Sequence, residues 1–479
     1  MPSSTAASAI TSDAGTAPAV PATEGAPGRR RLDWLDGLRG IAALVVVFEH
    51  SLDVLFPEVR STASPWFDFG RYGVFVFFLI SGYIVPASLE RRRSVREFWI
   101  GRMFRLYPPW ALAAVIGLAV TLGGLAWAPP NGLVEHPWIS LLAHLTMLQD
   151  LLGVPNVVNV FWTLSYEMVF YLLITALFVV GIRRNGAGAG AGLGFAAGAV
   201  LVGIGLPKGV LSAHSGTGTV IGAAVLMAGG LLAVMSGRPA ARRCGAVALA
   251  GTALVLLAFN NRIGGMESMA IIATMFAGAG VHAVQHRRVR RGPALVMLAL
   301  VPVLTVAAGV RSALLGPDGG PALPASWGWC IAVGAAWLTF VFGLAVRNRR
   351  FPRPLPWLGV ISYSVYLLHP PIVQLVWRFV GEVPGRPGVL ERIGWAVGLV
   401  GCVLAASAVV HRYVELPMQG MGRRLARSTR RTGAAPPEPA RSETATSVPA
   451  SAEPATTEPV RTEPAAEPSS RIDAGSRRN

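Results

Sequence analysis

The sequence predicts an all-α polytopic membrane protein with about 10–12 transmembrane helices and disordered cytoplasmic tails. Three observations carry that expectation. Of 479 residues, 52% are hydrophobic and only 14% charged, and the mean hydropathy is +0.51. The apolar residues gather into twelve segments, about 38–56, 70–88, 107–127, 159–181, 191–210, 217–236, 244–259, 266–284, 293–310, 327–346, 357–379 and 393–413. The basic residues alternate with them: with the N-terminus in the cytoplasm, 29 Lys and Arg fall inside, 8 outside and 5 in the far C-terminal tail. That is the positive-inside bias. It accounts for the net charge of +17 as orientation and headgroup contact rather than a nucleic-acid footprint.

Taken in order, residues 1–30 are rich in Ala, Ser, Thr, Pro and Gly and read as a disordered tail. The basic run at 29–31 followed by an apolar segment imitates a signal peptide. It starts late, however, and the apolar stretch carries Arg39 and His50, so an uncleaved first span is expected. The membrane domain is placed at 31–415. Within it, 138–149 is too short to cross and holds His144, which suggests an interfacial or re-entrant piece. The block 186–346 is rich in Gly, Ala, Leu and Val and reads as closely packed scaffold. Residues 416–479 form a basic juxtamembrane segment and a second disordered tail. No soluble catalytic domain is read at either end, so any chemistry is expected inside the membrane domain. Cys244, Cys330 and Cys402 are isolated, which suggests neither a disulfide frame nor a metal site.

The polar residues of the first span are the most informative. Arg39 and His50 lie eleven positions apart, which returns a helix to within roughly 20° of the same azimuth and separates them by about 16 Å along the axis. Asp36 falls near that face. Polar groups inside lipid normally face a protein interior or a wet cavity, so the stripe is a site candidate. Glu167 lies at a depth similar to that of His50 on a different span, and an ionisable pair in lipid is expected to meet or to share a cavity. Arg102 and Arg105 are three apart, hence neighbours on a helix, and their fork geometry suits phosphate. Arg91 to Arg93 and Arg96 read as ordinary inside-loop arginines, and Ser81 as a packing contact. His369 precedes Pro370 and Pro371, which are expected to disrupt the eleventh span and free its carbonyls.

Five stretches occur in register: RLDWLDGLRGIAALVVVFEHS (31–51), FDFGRYGVFVFFLISGYIV (67–85), FWIGRMFRLYPPW (98–110), FWTLSYEMVFYLL (161–173) and LGVISYSVYLLHPPIV (358–373). Together they resemble the integral-membrane acyltransferase family 3, which includes sugar O-acetyltransferases and macrolide-sugar acyltransferases, over roughly residues 30–415. Twelve segments are two more than the ten associated with that family's core. The resemblance implies that His50 is catalytic, and a neutral imidazole is suited to accept the proton of an attacking hydroxyl. It implies an acidic partner at Glu167, which would orient the imidazole, stabilise the imidazolium or hold the acceptor. It further implies that Arg39, Arg102 and Arg105 serve an acyl-coenzyme A donor. Asp36, Trp162, Ser165, Tyr166 and His369 are the supporting or substrate-binding candidates, and Glu49 either perturbs His50 or faces another neighbour.

The expected protein is therefore a plasma-membrane O-acyltransferase with both termini cytoplasmic, acting on a hydroxyl of a carbohydrate or glycosylated small molecule. Acyl-coenzyme A is the co-substrate, and no permanently bound cofactor, metal or nucleic acid is expected. Direct transfer and passage through an acylated protein group both fit. The rival is a twelve-span secondary transporter. Such folds usually have two related halves with a longer central connection. Here the sixth-to-seventh link, 237–243, is short, and the polar motifs of the first 170 residues do not recur in the second half.

Overall fold

The computed structural model describes residues 33–125, 131–181, 196–203, 205–315, 325–380 and 387–431. The expected N-terminal tail and the chain beyond 431 lie outside them. The long helices are α1 (Asp33–Leu55), α3 (Phe69–Arg92), α4 (Val95–Leu122), α7 (Trp162–Val180), α9 (Val210–Met235), α10 (Pro239–Phe259), α11 (Gly265–Gln285), α12 (Arg291–Leu315), α13 (Ala325–Ala345), α14 (Pro354–Val380) and α15 (Val389–Val410). Shorter pieces are α2 (Pro57–Ala63), α5 (Asn131–Glu135), α6 (Pro137–Thr146), α8 (196–203) and α16 (Leu416–Arg431). Ten of the described helices have the length and apolarity to cross a membrane. The first, α1, is as long but carries more charge. Of the expected fifth segment, 191–210, helix is described over 196–203 and a non-helical stretch over 205–209; the remainder lies outside the described residues.

Local chemistry explains the boundaries. Ser94 caps α4 by accepting the Glu97 amide at 3.3 Å, with a Glu three residues on as in a capping box. Asp68 caps α3 by accepting the Arg71 amide at 2.8 Å. Gly181 ends α7 in the left-handed region (φ 82°), where a residue without Cβ is strain-free. Two expectations are corrected. The third span starts at Val95 rather than 107, so Arg102 and Arg105 sit within the helix and Pro108 and Pro109 in its interior. The arginines had lowered the local hydropathy and masked the helix start. Likewise α14 runs without interruption through Pro370 and Pro371. The two prolines withdraw only two amides, from the carbonyls of Tyr366 and Leu367, and the His369 ring sits against the carbonyls of Val365 and Tyr366.

The packing that positions the site is that of α1 on α14, with α3 on the other side of α1. At the α1–α14 crossing a Cβ on Gly40 would approach Leu358 Cβ to 2.6 Å, and one on Gly359 would overlap the Asp36 carbonyl. Small residues let the two backbones touch, as membrane helix pairs require. Gly359→Ala is expected to cost about 1–3 kcal/mol through overpacking and to lower the melting temperature of the detergent-purified protein; an unchanged melting curve would contradict this crossing.

Candidate functional site

Five helices, α1, α3, α4, α7 and α14, surround a cavity of about 720 Å³ that includes space open to solvent. Its α3 wall is Val74, Phe77, Phe78, Ser81 and Val85, linked by steps of three and four (74/77/81/85 and 74/78/81) as on one face of a helix. Thr163, Leu164 and Glu167 come from α7, and Ser362, Tyr363 and Tyr366 from α14. Arg39, Arg102 and Arg105 line the same space. Thus the structure gathers the three candidate arginines from two helices, together with Glu167.

Arg39 and Arg102 are held in place by partners. Arg39 Nη1 reaches Asp36 Oδ1 at 3.5 Å. Arg102 is buried, donates from Nη1 to Tyr171 Oη at 3.4 Å, and lies over the rings of Phe98 (5.4 Å) and Tyr171 (5.1 Å). Tyr171 Oη in turn donates to Glu167 Oε1. Arg39 feels the like charges of Arg105 and Arg102 as well as the opposite charges of Asp36 and Glu167. Three guanidinium groups against two carboxylates leave an excess of positive charge in a weakly hydrated space, and an anion placed there relieves it.

Further along α14 the wall leads to histidine. The Tyr366 and His369 rings are 5.9 Å apart, and His369 and His50 meet edge to face at 5.0 Å. His50 Nδ1 lies 3.0 Å from Val46 O, and His369 Nδ1 3.1 Å from Val365 O. A neutral imidazole bound this way carries its proton on Nδ1 and leaves Nε2 as an acceptor. His369 is fully buried, and its Nε2 has no hydrogen-bond partner among the described residues. Two acceptor nitrogens therefore belong to adjacent rings on different helices.

The remaining candidates fall elsewhere. Glu167 turns toward Tyr171 and the arginines, and the ring beside His50 is His369. Ser165 Oγ accepts the Asp150 amide at 3.2 Å, and Tyr166 Oη shares a hydrogen bond of 2.9 Å with Ser268 Oγ on α11, so both tie α7 to its surroundings. Trp162 lies under the Arg71 guanidinium, 4.8 Å from the ring centroid. Glu49 pairs with Arg60 at 2.5 Å. His144 is buried in α6 and accepts the Val157 amide at Nε2, bracing the loop before α7. Among the described residues no group of three His, Cys, Asp or Glu is placed to hold a metal ion.

Sequence reasoning missed Tyr171, Tyr363, Arg71 and Asp150. Asp150 lies outside the membrane-spanning helices, and burial raises its carboxyl pKa against the opposing hydrogen bond from Asn156. A raised folded-state pKa means that ionisation is penalised in the fold: the penalty is absent below the unfolded-state pKa and complete above the folded one. Asp150→Asn is accordingly expected to raise the melting temperature at pH 7 by about 2–4 °C. The advantage should shrink as pH falls through the raised folded pKa toward about 4 and be gone below it; a pH-independent difference would contradict it.

Fold and site together define a multi-pass membrane protein whose cationic cavity leads to a pair of histidines, one buried and one half-buried. The chain belongs to the acyltransferase family: the family's acyltransferase-domain model matches residues 32–412. Among curated relatives, the acyltransferase MdmB of Streptomyces mycarofaciens is 32% identical over 149 residues, 30% of this chain and 38% of the relative. Nodulation protein 10 of Rhizobium leguminosarum is 30% identical over 197 residues, 37% of this chain and 52% of the relative. The peptidoglycan O-acetyltransferase OatA of Listeria monocytogenes is 23% identical over 420 residues, covering 82% of this chain. That match spans 57% of OatA, so the chain covers about half the length of the curated relatives it matches. No solved structure matches the chain.

Proposed function

We propose that the chain is a plasma-membrane O-acyltransferase that moves an acyl group from acyl-coenzyme A to a hydroxyl of a carbohydrate-containing acceptor. The observation that supports it most is the cavity that joins Arg39, Arg102 and Arg105 at one end to Tyr366, and through it to His369 and His50, at the other. The positive-inside bias supports a cytoplasmic arginine end and cytoplasmic termini. Acyl-coenzyme A is a co-substrate there, its phosphates held by guanidinium forks, and its pantetheine arm follows the cavity toward the histidines. The relative named as a peptidoglycan O-acetyltransferase supports a carbohydrate-containing acceptor, which in this reading arrives from the opposite side.

In the reaction the acceptor O–H gives its proton to Nε2 of His50 as its oxygen attacks the thioester carbonyl. The C–S bond breaks, and the coenzyme A thiolate takes the proton back from the imidazolium, leaving an ester, free thiol and a neutral histidine. The test is transfer of labelled acetyl from acetyl-coenzyme A to isolated surface glycans by the purified full chain in lipid nanodiscs. Alkali-labile label on glycan is expected; label that stays on coenzyme A with every glycan offered would overturn the proposal.

A further inference from the structure

The α3 stripe that walls the cavity continues one turn past Val74 to Arg71, at the end opposite the arginine cluster. Arg71 belongs to the second sequence motif, yet unlike the motif's later residues it does not line the cavity. Its Nε pairs with Glu267 Oε1 of α11 at 2.5 Å, and its guanidinium lies flat over Trp162. Glu267 also accepts from Trp329 Nε1 at 3.3 Å. Asp150 faces this pair from the loop before α7, within electrostatic reach of both Arg71 and Glu267. Trp162 is joined to the cavity by its neighbour Thr163, whose hydroxyl shares a 3.0 Å hydrogen bond with Tyr366 Oη.

Two features distinguish this cluster from a structural ion pair between helices. Asp150 is 2% exposed, yet its Oδ2 has no hydrogen-bond partner among the described residues, and neither has Oε1 of the adjacent, fully buried Gln149. Orphaned buried acceptors are costly and call for a ligand or water. The mixture is also that of a sugar site: an indole face for the apolar face of a pyranose, a guanidinium donor, and carboxylate and amide oxygens as hydroxyl acceptors. The charges here are Asp150, Glu267, Asp68 and Glu49 against Arg71, the half-exposed Arg262 and Arg60, which pairs with Glu49. That balance suits a neutral or amino-bearing sugar and repels a phosphate or carboxylate.

We infer that Arg71, Trp162, Glu267 and Asp150 form the acceptor subsite, which takes a neutral or amino sugar and presents its hydroxyl to the histidine pair. This rests on the acyltransferase reading above. The experiment therefore has two arms, both on the full chain. In cells whose own copy is replaced by wild type, Arg71→Ala, Trp162→Ala or Asp150→Asn, ester-linked acyl groups on surface and secreted glycans are released by mild alkali and quantified by mass spectrometry. In parallel, the purified proteins in nanodiscs are titrated with acetyl-coenzyme A. Each variant is expected to lose at least tenfold of the glycan ester while binding acetyl-coenzyme A within twofold of wild type. Glycan ester within twofold of wild type in all three would overturn the subsite. So would a parallel loss of acetyl-coenzyme A binding in all three, or restoration of activity by the charge-swapped pair Arg71→Glu with Glu267→Arg, since either marks a structural role. Asp150→Asn, nearly isosteric, keeps the test informative if Arg71→Ala fails to fold. If wild type binds no acetyl-coenzyme A and deleting the gene changes no glycan ester, the acyltransferase reading itself fails.

Discussion

Replacing His50 with alanine is expected to lower acyl transfer about 10²–10⁴-fold, the usual worth of a positioned general base, while leaving acyl-coenzyme A affinity within about twofold. The two effects separate because His50 lies about 16 Å along α1 from Arg39, outside the residues that line the cationic cavity. His50 does not act alone in this geometry. Its ring meets His369 at 5.0 Å, and each imidazole is anchored through Nδ1 to a carbonyl four residues back. Groups that act as a unit show strongly non-additive losses. His369→Ala should therefore be costly in the wild-type background and nearly silent when His50 is already alanine. Single-turnover measurements on nanodisc-embedded protein read this directly. Unchanged transfer in His50→Ala would remove the base, and additive losses would dissolve the pair.

Arg102→Ala is the second large effect. Losing a charge-assisted hydrogen bond to a phosphate costs about 1.5–3 kcal/mol, so KM for acyl-coenzyme A should rise about 10–100-fold with little change in kcat. Arg102 is chosen because it is buried and oriented: Phe98 and Tyr171 flank its guanidinium, and Tyr171 links it to Glu167. Arg102→Lys keeps the charge and loses the fork and the stacking, so an intermediate KM is expected. An acyl-pantetheine donor has no nucleotide phosphates and should be indifferent to the change. If both donors suffer equally from Arg102→Ala, the arginine holds the bundle together rather than the phosphate.

Much of this was legible in the sequence because it depends on a single helix. Helical periodicity alone places Arg39 and His50 on one face, and alternation of basic loops orders the segments across the bilayer. The third and eleventh spans were misjudged at their polar or proline-bearing ends for one reason: hydropathy measures transfer to lipid. Arg102, Pro109, Pro370 and Pro371 are buried against neighbouring helices instead. Arg71 and Asp150 escaped notice because one resembles any charge near a span end and the other any loop acid.

By itself, then, the sequence determined the fold class and the stripe on α1, since each follows from composition or from spacing along one element. Only the tertiary structure decided partners. Equal depth left Glu167 a candidate neighbour of His50, but azimuth is set by packing, and α7 turns Glu167 toward Tyr171 and the arginines. The contact of His50 with His369 arises because α1 and α14 pack along one another, from the crossing where Gly359 meets the Asp36 carbonyl to the histidines further on. Such a contact joins residues more than three hundred positions apart, and it depends on which helix faces touch, a quantity that local periodicity does not contain.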